Sequence, residues 1–315
     1  LGKAFPIIGS PVFGILLGMI ITLLFPKLTS GGLNNGIKYT SKKILQFAVI
    51  LLGFEMNLYS IIEVGGQSLF VMLFTLSAAF ATAYLVGKAL KITPNTTILI
   101  GVGTSICGGS AIAATAPVIK ADDEDVAHAI STIFLFNIVA VFIFPALGRL
   151  LGMTDLGFGM WAGTAINDTS SVVAAGSAWS AVAGNNTALA FATVVKLTRT
   201  LMIVPITLAL AIYTTKKNQS NPDGNTFNFS KVFPWFVIGF LLAAILNTVL
   251  ELPSNVSHSL VQMGKFLIVM AMSAIGLNTH LKKLISNGLS PILLGLSCWF
   301  AVASVSIIVQ RLMHF

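Results

Sequence analysis

Long apolar runs, separated by short polar connectors, make up most of this chain. A helix needs about 20 consecutive apolar residues to cross a bilayer, whereas a barrel strand needs about nine to eleven. The runs have the helical length and therefore predict transmembrane α-helices. Ten are predicted, over residues 5–25, 44–62, 68–88, 95–119, 126–150, 157–181, 188–213, 233–251, 260–281 and 290–311. The pattern predicts an all-α polytopic membrane protein in which residues 1–315 form a single integral membrane domain.

Composition and charge agree with this prediction. Hydrophobic residues make up 56% of the chain and charged residues only 9%, against about 25% charged residues in soluble domains. The formal net charge is +8, but its distribution argues against a nucleic-acid partner. Alternation of the ten spans places twelve cations on one side (Lys27, Lys38, Lys42, Lys43, Lys88, Lys91, Arg149, Lys216, Lys217, Lys231, Lys282 and Lys283) and three on the other (Lys3, Lys120 and Arg311). This asymmetry predicts a multi-pass protein of the inner (plasma) membrane whose first side faces the cytoplasm.

With ten spans, both ends of this chain would lie outside the cytoplasm. Because the sequence begins at Leu1, directly before a span, we expect one further helix to precede it natively. Cys107 and Cys298 both fall within spans, so no disulfide is expected.

Two internal similarities indicate duplication. Residues 103–114 (GTSICGGSAIAA) match residues 163–174 (GTAINDTSSVVA) at a constant offset of 60, and Pro145 matches Pro205 at the same offset. The predicted repeat elements are 103–150 with 163–210, and 44–90 with 260–311. Seven passes separate the copies of the second pair, so these would be inverted in the membrane, as in many secondary transporters.

The orientation of the first repeat is less simple. Two passes separate its copies, so alternation of the spans makes them parallel. Two explanations remain open. Either one motif is a re-entrant hairpin, or the similarity reflects shared local chemistry rather than duplication.

Lys196 and Arg199 lie near the middle of an otherwise apolar or small-residue stretch, 188–213. A spacing of three places both on one helical face. Buried cations in a membrane are costly unless they face a polar cavity or a partner. The pair therefore predicts either an anion-binding site or a structural ion pair.

The first polar motif interrupts the fourth predicted span. It consists of Thr104, Ser105, Cys107, Gly108, Gly109 and Ser110. Adjacent glycines weaken a helix. A break here would aim free N–H groups and the positive end of the next half-helix into the protein, which suits an anion. The alternative is a small-residue face for close helix packing.

The second polar motif consists of Asn167, Asp168, Thr169, Ser170 and Ser171. Five consecutive polar residues cannot face lipid. Asp168 would act either as a structural partner of Lys196 or Arg199, or as a proton carrier that couples substrate movement to protons. The two roles are compatible.

No motif of a known catalytic chemistry is present. The sequence contains no HExxH, GxSxG or Walker A pattern and no metal-ligand cluster, so we expect neither enzyme activity nor a metal or cofactor.

The motifs together resemble a known family. Residues 103–119 (GTSICGGSAIAATAPVI) and 162–176 (AGTAINDTSSVVAAG), with Lys196 and Arg199 downstream, are similar to the YeiH-type family of proposed sulfate exporters. The resemblance covers essentially the whole chain. That family is assigned to the larger group of cation/proton antiporters and anion transporters, which includes NhaA and the bile-acid symporters. The resemblance implies inverted repeats with discontinuous helices, a core domain beside a panel domain, and an elevator-type motion in a homodimer.

We therefore predict a secondary active transporter that exports a small anion such as sulfate, sulfite or an organosulfonate by alternating access. The anion would contact the two polar motifs and the two cations, and Asp168 would provide proton coupling. A cation/proton antiporter is the chief alternative, but it would need buried carboxylates in excess of cations. The second alternative is an anion channel or a non-transporting regulatory membrane protein.

Overall fold

The computed structural model describes residues 10–25, 32–55, 58–203, 205–210, 235–279 and 288–313. Every regular element in these ranges is helical. The α-helices are α1 Ser10–Leu24, α2 Asn34–Tyr39, α3 Leu45–Leu52, α4 Leu58–Ala89, α5 Pro94–Ser105, α6 Gly109–Ile119, α7 Asp123–Leu150, α8 Asp155–Ala165, α9 Thr169–Ala183, α10 Thr187–Leu201, α11 Trp235–Val249, α12 Ser254–Leu277 and α13 Leu289–Leu312. A π-helical turn, Thr40–Ile44, joins α2 to α3, and a 3₁₀ turn, Gly53–Glu55, follows α3.

Five helical segments among the described residues are long and apolar enough to cross a bilayer. They are Ile61–Ala89, Glu124–Leu150, Thr187–Leu210, Ser254–Leu277 and Leu289–Leu312. The prediction of an all-α polytopic membrane protein is thereby confirmed. Seven of the cations used in the charge count lie outside the described residues, namely Lys3, Lys27, Lys216, Lys217, Lys231, Lys282 and Lys283.

Helices α5 and α6 fold back on each other as a first hairpin. Thr93 caps the N-terminus of α5, with Pro94 in the first turn, and its hydroxyl donates to Asp125 Oδ1 at 2.6 Å. The Thr96 hydroxyl donates to the same oxygen at 2.5 Å. Asp125 lies in the first turn of α7, a few residues after α6 ends, so both ends of the hairpin lie close together. A continuous helix over this stretch would hold them more than about 30 Å apart, at 1.5 Å per residue.

Helices α8 and α9 form a second hairpin of the same kind. Asp155, in the first turn of α8, accepts hydrogen bonds from Trp179 Nε1 at 2.7 Å and from Asn185 Nδ2 at 2.8 Å. The rings of Phe158 and Trp179 also stack with centroids 4.1 Å apart. The start of α8 therefore lies beside the end of α9.

The two hairpins pack against opposite halves of α7. Ala129 and Ile133 pack in one cluster with the first hairpin, whereas Ala140 and Phe144 pack in another with the second. At the far end of α7, a Cβ on Gly148 would lie 2.7 Å from the Phe158 ring. The hairpins therefore enter from opposite ends of α7 and meet near its middle.

This arrangement corrects two expectations. First, residues 95–119 and 157–181 do not form continuous helices, because α5 ends at Ser105 and α8 ends at Ala165, and each segment turns back at that point. Second, each of the two polar motifs lies in a hairpin, whereas the sequence suggested a hairpin for one motif at most. The two hairpins run in opposite directions along α7, because the first hairpin has its base at the start of this helix and the second has its base at the end.

The remaining helices surround this centre. Helix α1 packs on α12, and both α11 and α12 pack on α3. The α1–α12 contact is close: a Cβ on Gly18 would lie 2.5 Å from the Ser273 carbonyl. Helices α4 and α13 pack side by side against the hairpins and α7.

Candidate functional site

The first hairpin turns at a tip formed by residues 106–108. Ile106 leaves helical geometry with φ −113° and ψ −93°. Gly108 then adopts φ +70° and ψ −128°, a combination open to glycine but strained for a residue with a Cβ. Gly108, the N-cap residue of α6, has no side chain to cap the helix. Gly109, the first residue of that helix, and Ser110, which follows it, are partly accessible and exposed, respectively.

The second hairpin turns at residues 166–168. Ile166 and Asp168 are extended, with φ −84° and −104°. Asp168 is the N-cap of α9: its Oδ2 accepts from the Ser170 N–H at 2.9 Å and also from the Ser170 hydroxyl. A carboxylate at this position satisfies an end-of-helix donor and complements the positive helix end.

The two tips meet beside Asn137, which lies in the middle of α7. Its Oδ1 accepts from the Asp168 N–H at 3.2 Å. A Cβ on Gly108 would lie 3.5 Å from Asn137 Nδ2 and 3.7 Å from the Asn167 carbonyl. Asn137 was not among the residues selected from the sequence, although it is an isolated amide within an apolar run.

Lys196 and Arg199 reach both tips from α10 and bind main-chain oxygens. Lys196 Nζ donates to the carbonyls of Ile106 at 2.7 Å and Ile166 at 3.0 Å. Arg199 Nε donates to the Ser105 carbonyl at 2.7 Å, and its Nη2 donates to that of Thr104.

On the second hairpin, Arg199 Nη1 donates to the carbonyls of Thr164 and Ile166, the latter at 3.4 Å. Both cationic side chains are 0% exposed. We call these two side chains, with the carbonyls of residues 104–106, 164 and 166, the carbonyl clamp.

The clamp has a clear electrostatic reason. The carbonyls that it binds are the last ones of α5 and α8, which have no partner within their own helix. These ends also carry the negative poles of the helix dipoles. Among the described residues, no ion pair within 4.0 Å joins Asp168 to Lys196 or Arg199. The cations therefore compensate two helix ends, which neither sequence-based interpretation anticipated.

Three buried polar atoms near the tips have no hydrogen-bond partner: Thr104 Oγ1, Asn137 Nδ2 and Asn167 Oδ1. Their residues are 0%, 3% and 1% exposed. Most buried polar atoms in proteins are paired, so such atoms call for a ligand, an ion or a water molecule. Asn137 Nδ2 lies at the junction of the two tips, and Thr104 and Asn167 belong to the hairpin segments that meet there.

The structure brings the sequence-selected residues together in one region. Thr104 and Ser105 end α5, Cys107 and Gly108 form the first tip, and Gly109 and Ser110 begin α6. Asn167 and Asp168 lie in the second tip, and Thr169, Ser170 and Ser171 form the first turn of α9. The selected residues and the two cations thus come from three separate segments of the chain and converge beside Asn137.

These features define a helical, multi-pass membrane protein with a polar, positively charged centre. The model of the family described as Conserved hypothetical protein 698 matches residues 1–295. The chain belongs to this family, whose relatives are named UPF0324 membrane proteins.

One such relative, from Fusobacterium nucleatum, is 48% identical over 328 residues, covering 99% of this chain and 93% of its own length. A relative from Streptococcus pyogenes serotype M18 is 52% identical over 313 residues, covering 98% and 91%. A third, from Streptococcus mutans, is 49% identical over 319 residues, covering 99% and 92%. No solved structure matches this chain.

Proposed function

We propose that this protein is a secondary transporter that exports a small oxyanion, such as sulfate, sulfite or an organosulfonate, across the plasma membrane. One observation carries the proposal. Two fully buried cations, Lys196 and Arg199, lie at the junction of two helix hairpins. The charged residue in the second tip is one carboxylate, Asp168, which is the N-cap of α9.

The charge balance favours an anion. Two helix N-termini (α6 and α9) and two C-termini (α5 and α8) meet at the centre, and their half-charges cancel in pairs. Lys196, Arg199 and Asp168 then leave one positive charge when Asp168 is ionised and two when it is protonated. A cation/proton antiporter would need the opposite excess, since a buried uncompensated charge is costly.

Two of the three unpaired atoms can supply contacts for such an anion, whereas the third, Asn167 Oδ1, is an acceptor. Asn137 Nδ2 and the Thr104 hydroxyl can donate hydrogen bonds to anionic oxygens. The N-terminus of α6, at Gly109 and Ser110, offers main-chain N–H groups and a positive helix end. In this proposal the clamp does not touch the anion, but it fixes the tips and provides the long-range positive charge.

The hairpins also fit a carrier. With residues 95–119 and 157–181 turned back, the ten predicted spans become eight crossings and two re-entrant hairpins of opposite orientation. In this topology Lys120 is assigned to the cytoplasmic side and Arg149 to the outside. The count of cations therefore stays at twelve inside against three outside, and the same orientation is favoured. Oppositely oriented repeats with broken helices at mid-depth are typical of alternating-access transporters.

Kinship with the YeiH-type exporters, the elevator-type motion and the homodimer remain parts of this proposal. The resemblance of the two motifs supports them. In such a motion, the hairpins, α7 and α10 would move as one unit past α1, α3, α11 and α12.

The hairpin topology predicts where engineered cysteines react. In a background with Cys107 and Cys298 replaced by alanine, Lys120→Cys should react with an impermeant maleimide only from the cytoplasmic side. Leu151→Cys should react only from outside. Continuous spans would give the reverse pattern at both positions. Lys91→Cys and Asn185→Cys serve as matched controls, because either topology places them inside and outside, respectively.

Asn137 is predicted to contact the anion. Replacing it by leucine should lower uptake of radiolabelled sulfate into proteoliposomes by roughly 10- to 100-fold, because a hydrogen bond to a charged group contributes about 1.5–3 kcal/mol and 1.4 kcal/mol is tenfold. The control is Thr132→Val. Thr132 is also buried on α7 with an unpaired hydroxyl, but it faces α13. Undiminished uptake by Asn137→Leu, or an equal loss with Thr132→Val, would contradict the assignment.

The proposed function itself is tested with the purified protein in liposomes. Radiolabelled sulfate, sulfite and taurine are offered at varied pH and membrane voltage, against liposomes without protein. Saturable uptake of at least one anion is expected. Sodium-dependent proton movement without any anion flux would favour the cation/proton antiporter instead.

A further inference from the structure

We propose that the valence of the anion decides whether a proton travels with it: a monoanion moves alone, and a dianion moves together with one proton on Asp168. This inference rests on the proposed function and specifies its substrate class and coupling. In both cases one net negative charge crosses the membrane with each anion.

The first step is the charge inventory around Asp168. The helix that it caps, α9, packs against α1, α7, α8, α10 and α12. Helix α10 contributes Lys196 and Arg199 at the tips, whereas α1 contains no charged residue. The described charged groups of α7 lie toward its two ends, at Glu124, Asp125, His128 and Arg149, and Asp155 of α8 lies at the hairpin base.

Three further groups complete the inventory, of which His258 is exposed near the start of α12. Lys265 of α12 hydrogen-bonds the Asn186 side chain, beyond the far end of α9. Cys107 is a free, buried cysteine in the first tip. The centre therefore contains two cationic side chains that are bound to carbonyls and one carboxyl, Asp168, which makes no hydrogen bond to the clamp, so its charge can change without loss of a clamp hydrogen bond.

The second step is the cost of net charge in a buried centre. Uncompensated charge in a low-dielectric interior is strongly unfavourable, so the loaded centre is most stable when it is neutral. With Asp168 ionised the centre carries one positive charge, which a monoanion cancels. With Asp168 protonated it carries two, which a dianion cancels. The carboxyl can accept a proton where it lies, because it is partly accessible at the tip junction.

The third step is the balance over one cycle. The empty centre returns with Asp168 ionised and one positive charge. A monoanion moves one negative charge and no proton. A dianion moves two negative charges and one proton, so the net is again one negative charge. The ratio of anion concentrations inside and outside the liposome at equilibrium depends on the charges and protons moved per anion, and it does not depend on the transport rates.

The test uses proteoliposomes with a potassium–valinomycin voltage clamp and two radiolabelled probes of similar shape, sulfate and methanesulfonate. Both are expected to accumulate tenfold for each imposed step of about 59 mV, the value for one charge. Sulfate should also accumulate tenfold for each pH unit across the membrane, and methanesulfonate should not respond to pH. The inference is overturned if sulfate accumulation changes hundredfold over the same voltage step, or if it does not depend on the pH gradient.

A substitution provides the second measurement. Asp168→Asn keeps an N-cap side chain but holds no proton, so sulfate would move as a dianion. Its accumulation should then change hundredfold over about 59 mV and lose its dependence on the pH gradient. Asp155→Asn removes the same charge from the base of the same hairpin and should keep the one-charge behaviour.

The possible failures are separable. Entry of neither probe into liposomes with wild-type protein would overturn the inference, and the absence of sulfite and taurine uptake as well would overturn the proposed function. Entry of only one probe, or of both with any other charge or proton balance, would overturn only the inference. The wild-type measurement decides it even if Asp168→Asn fails to fold.

Discussion

Replacement of Arg199 by methionine is expected to lower the unfolding temperature of the detergent-solubilised protein by roughly 10 °C. The guanidinium donates to four carbonyls across both hairpins. Methionine leaves three of these oxygens, on Thr104, Ser105 and Thr164, without a side-chain partner, whereas the Ile166 carbonyl keeps Lys196. Breaking a buried, charged network of this kind costs about 3–5 kcal/mol, and each kcal/mol corresponds to about 2–4 °C in a domain of 150–250 residues. Thermal unfolding followed by tryptophan fluorescence measures the shift.

Two further substitutions sharpen this prediction. Arg199→Lys keeps the charge but not the planar fork, so an intermediate loss is expected. Arg149→Met is the control, because Arg149 lies near the end of α7, 5.9 Å from the centroid of the Trp179 ring, and its loss should shift the transition by much less. If Arg149→Met and Arg199→Met were equally unstable, the clamp would not be the element that holds the tips together.

Replacement of Gly108 by alanine is expected to reduce anion uptake by roughly tenfold or more. Its backbone conformation, φ +70° and ψ −128°, costs a residue with a Cβ about 1–3 kcal/mol, and the added methyl would lie 3.3 Å from Ile133. The tip can relieve this strain only by moving away from Asn137 and from the proposed anion. Initial rates of radiolabelled sulfate uptake measure the effect.

Gly184→Ala is the matched control for this substitution. Gly184 also has a positive φ, +73°, but a Cβ there would meet no atom within 4 Å, and it ends α9 at the base of the second hairpin. The variant should therefore lose some stability and keep its uptake rate per folded molecule. Normal uptake by Gly108→Ala would show that the first tip does not contribute to the site.

Much of this architecture is predictable from local pattern. Apolar runs of helical length identify most of the crossings, and the spacing of Lys196 and Arg199 places them on one face of a buried helix. The glycines and hydroxyl residues at 104–110 indicate the helix break, because they weaken a helix wherever they stand. Each of these signals belongs to one segment of the chain.

What the sequence could not provide depends on contacts between distant segments. A hairpin and a crossing contain the same number of apolar residues, and the difference lies in pairs such as Thr93 with Asp125. The partners of Arg199 are carbonyl oxygens, which every residue has, so no residue type reveals them. Asn137 gains its importance only from the tips that meet beside it. One feature of the sequence did indicate the hairpins. The two motifs match at an offset of 60 residues, but an even number of predicted spans separates them, so simple alternation made the repeat parallel and not inverted.

Because the clamp binds main-chain oxygens, it places little demand on the side chains of residues 104–106, 164 and 166. The clamp itself therefore does not fix the identity of those side chains, although the Thr164 hydroxyl also hydrogen-bonds the Ser306 hydroxyl at 2.6 Å. In the proposed transporter, substitutions around this fixed frame would alter which anion is bound. Libraries that vary the tips while keeping Lys196 and Arg199 would then be a route to variants with a changed anion preference.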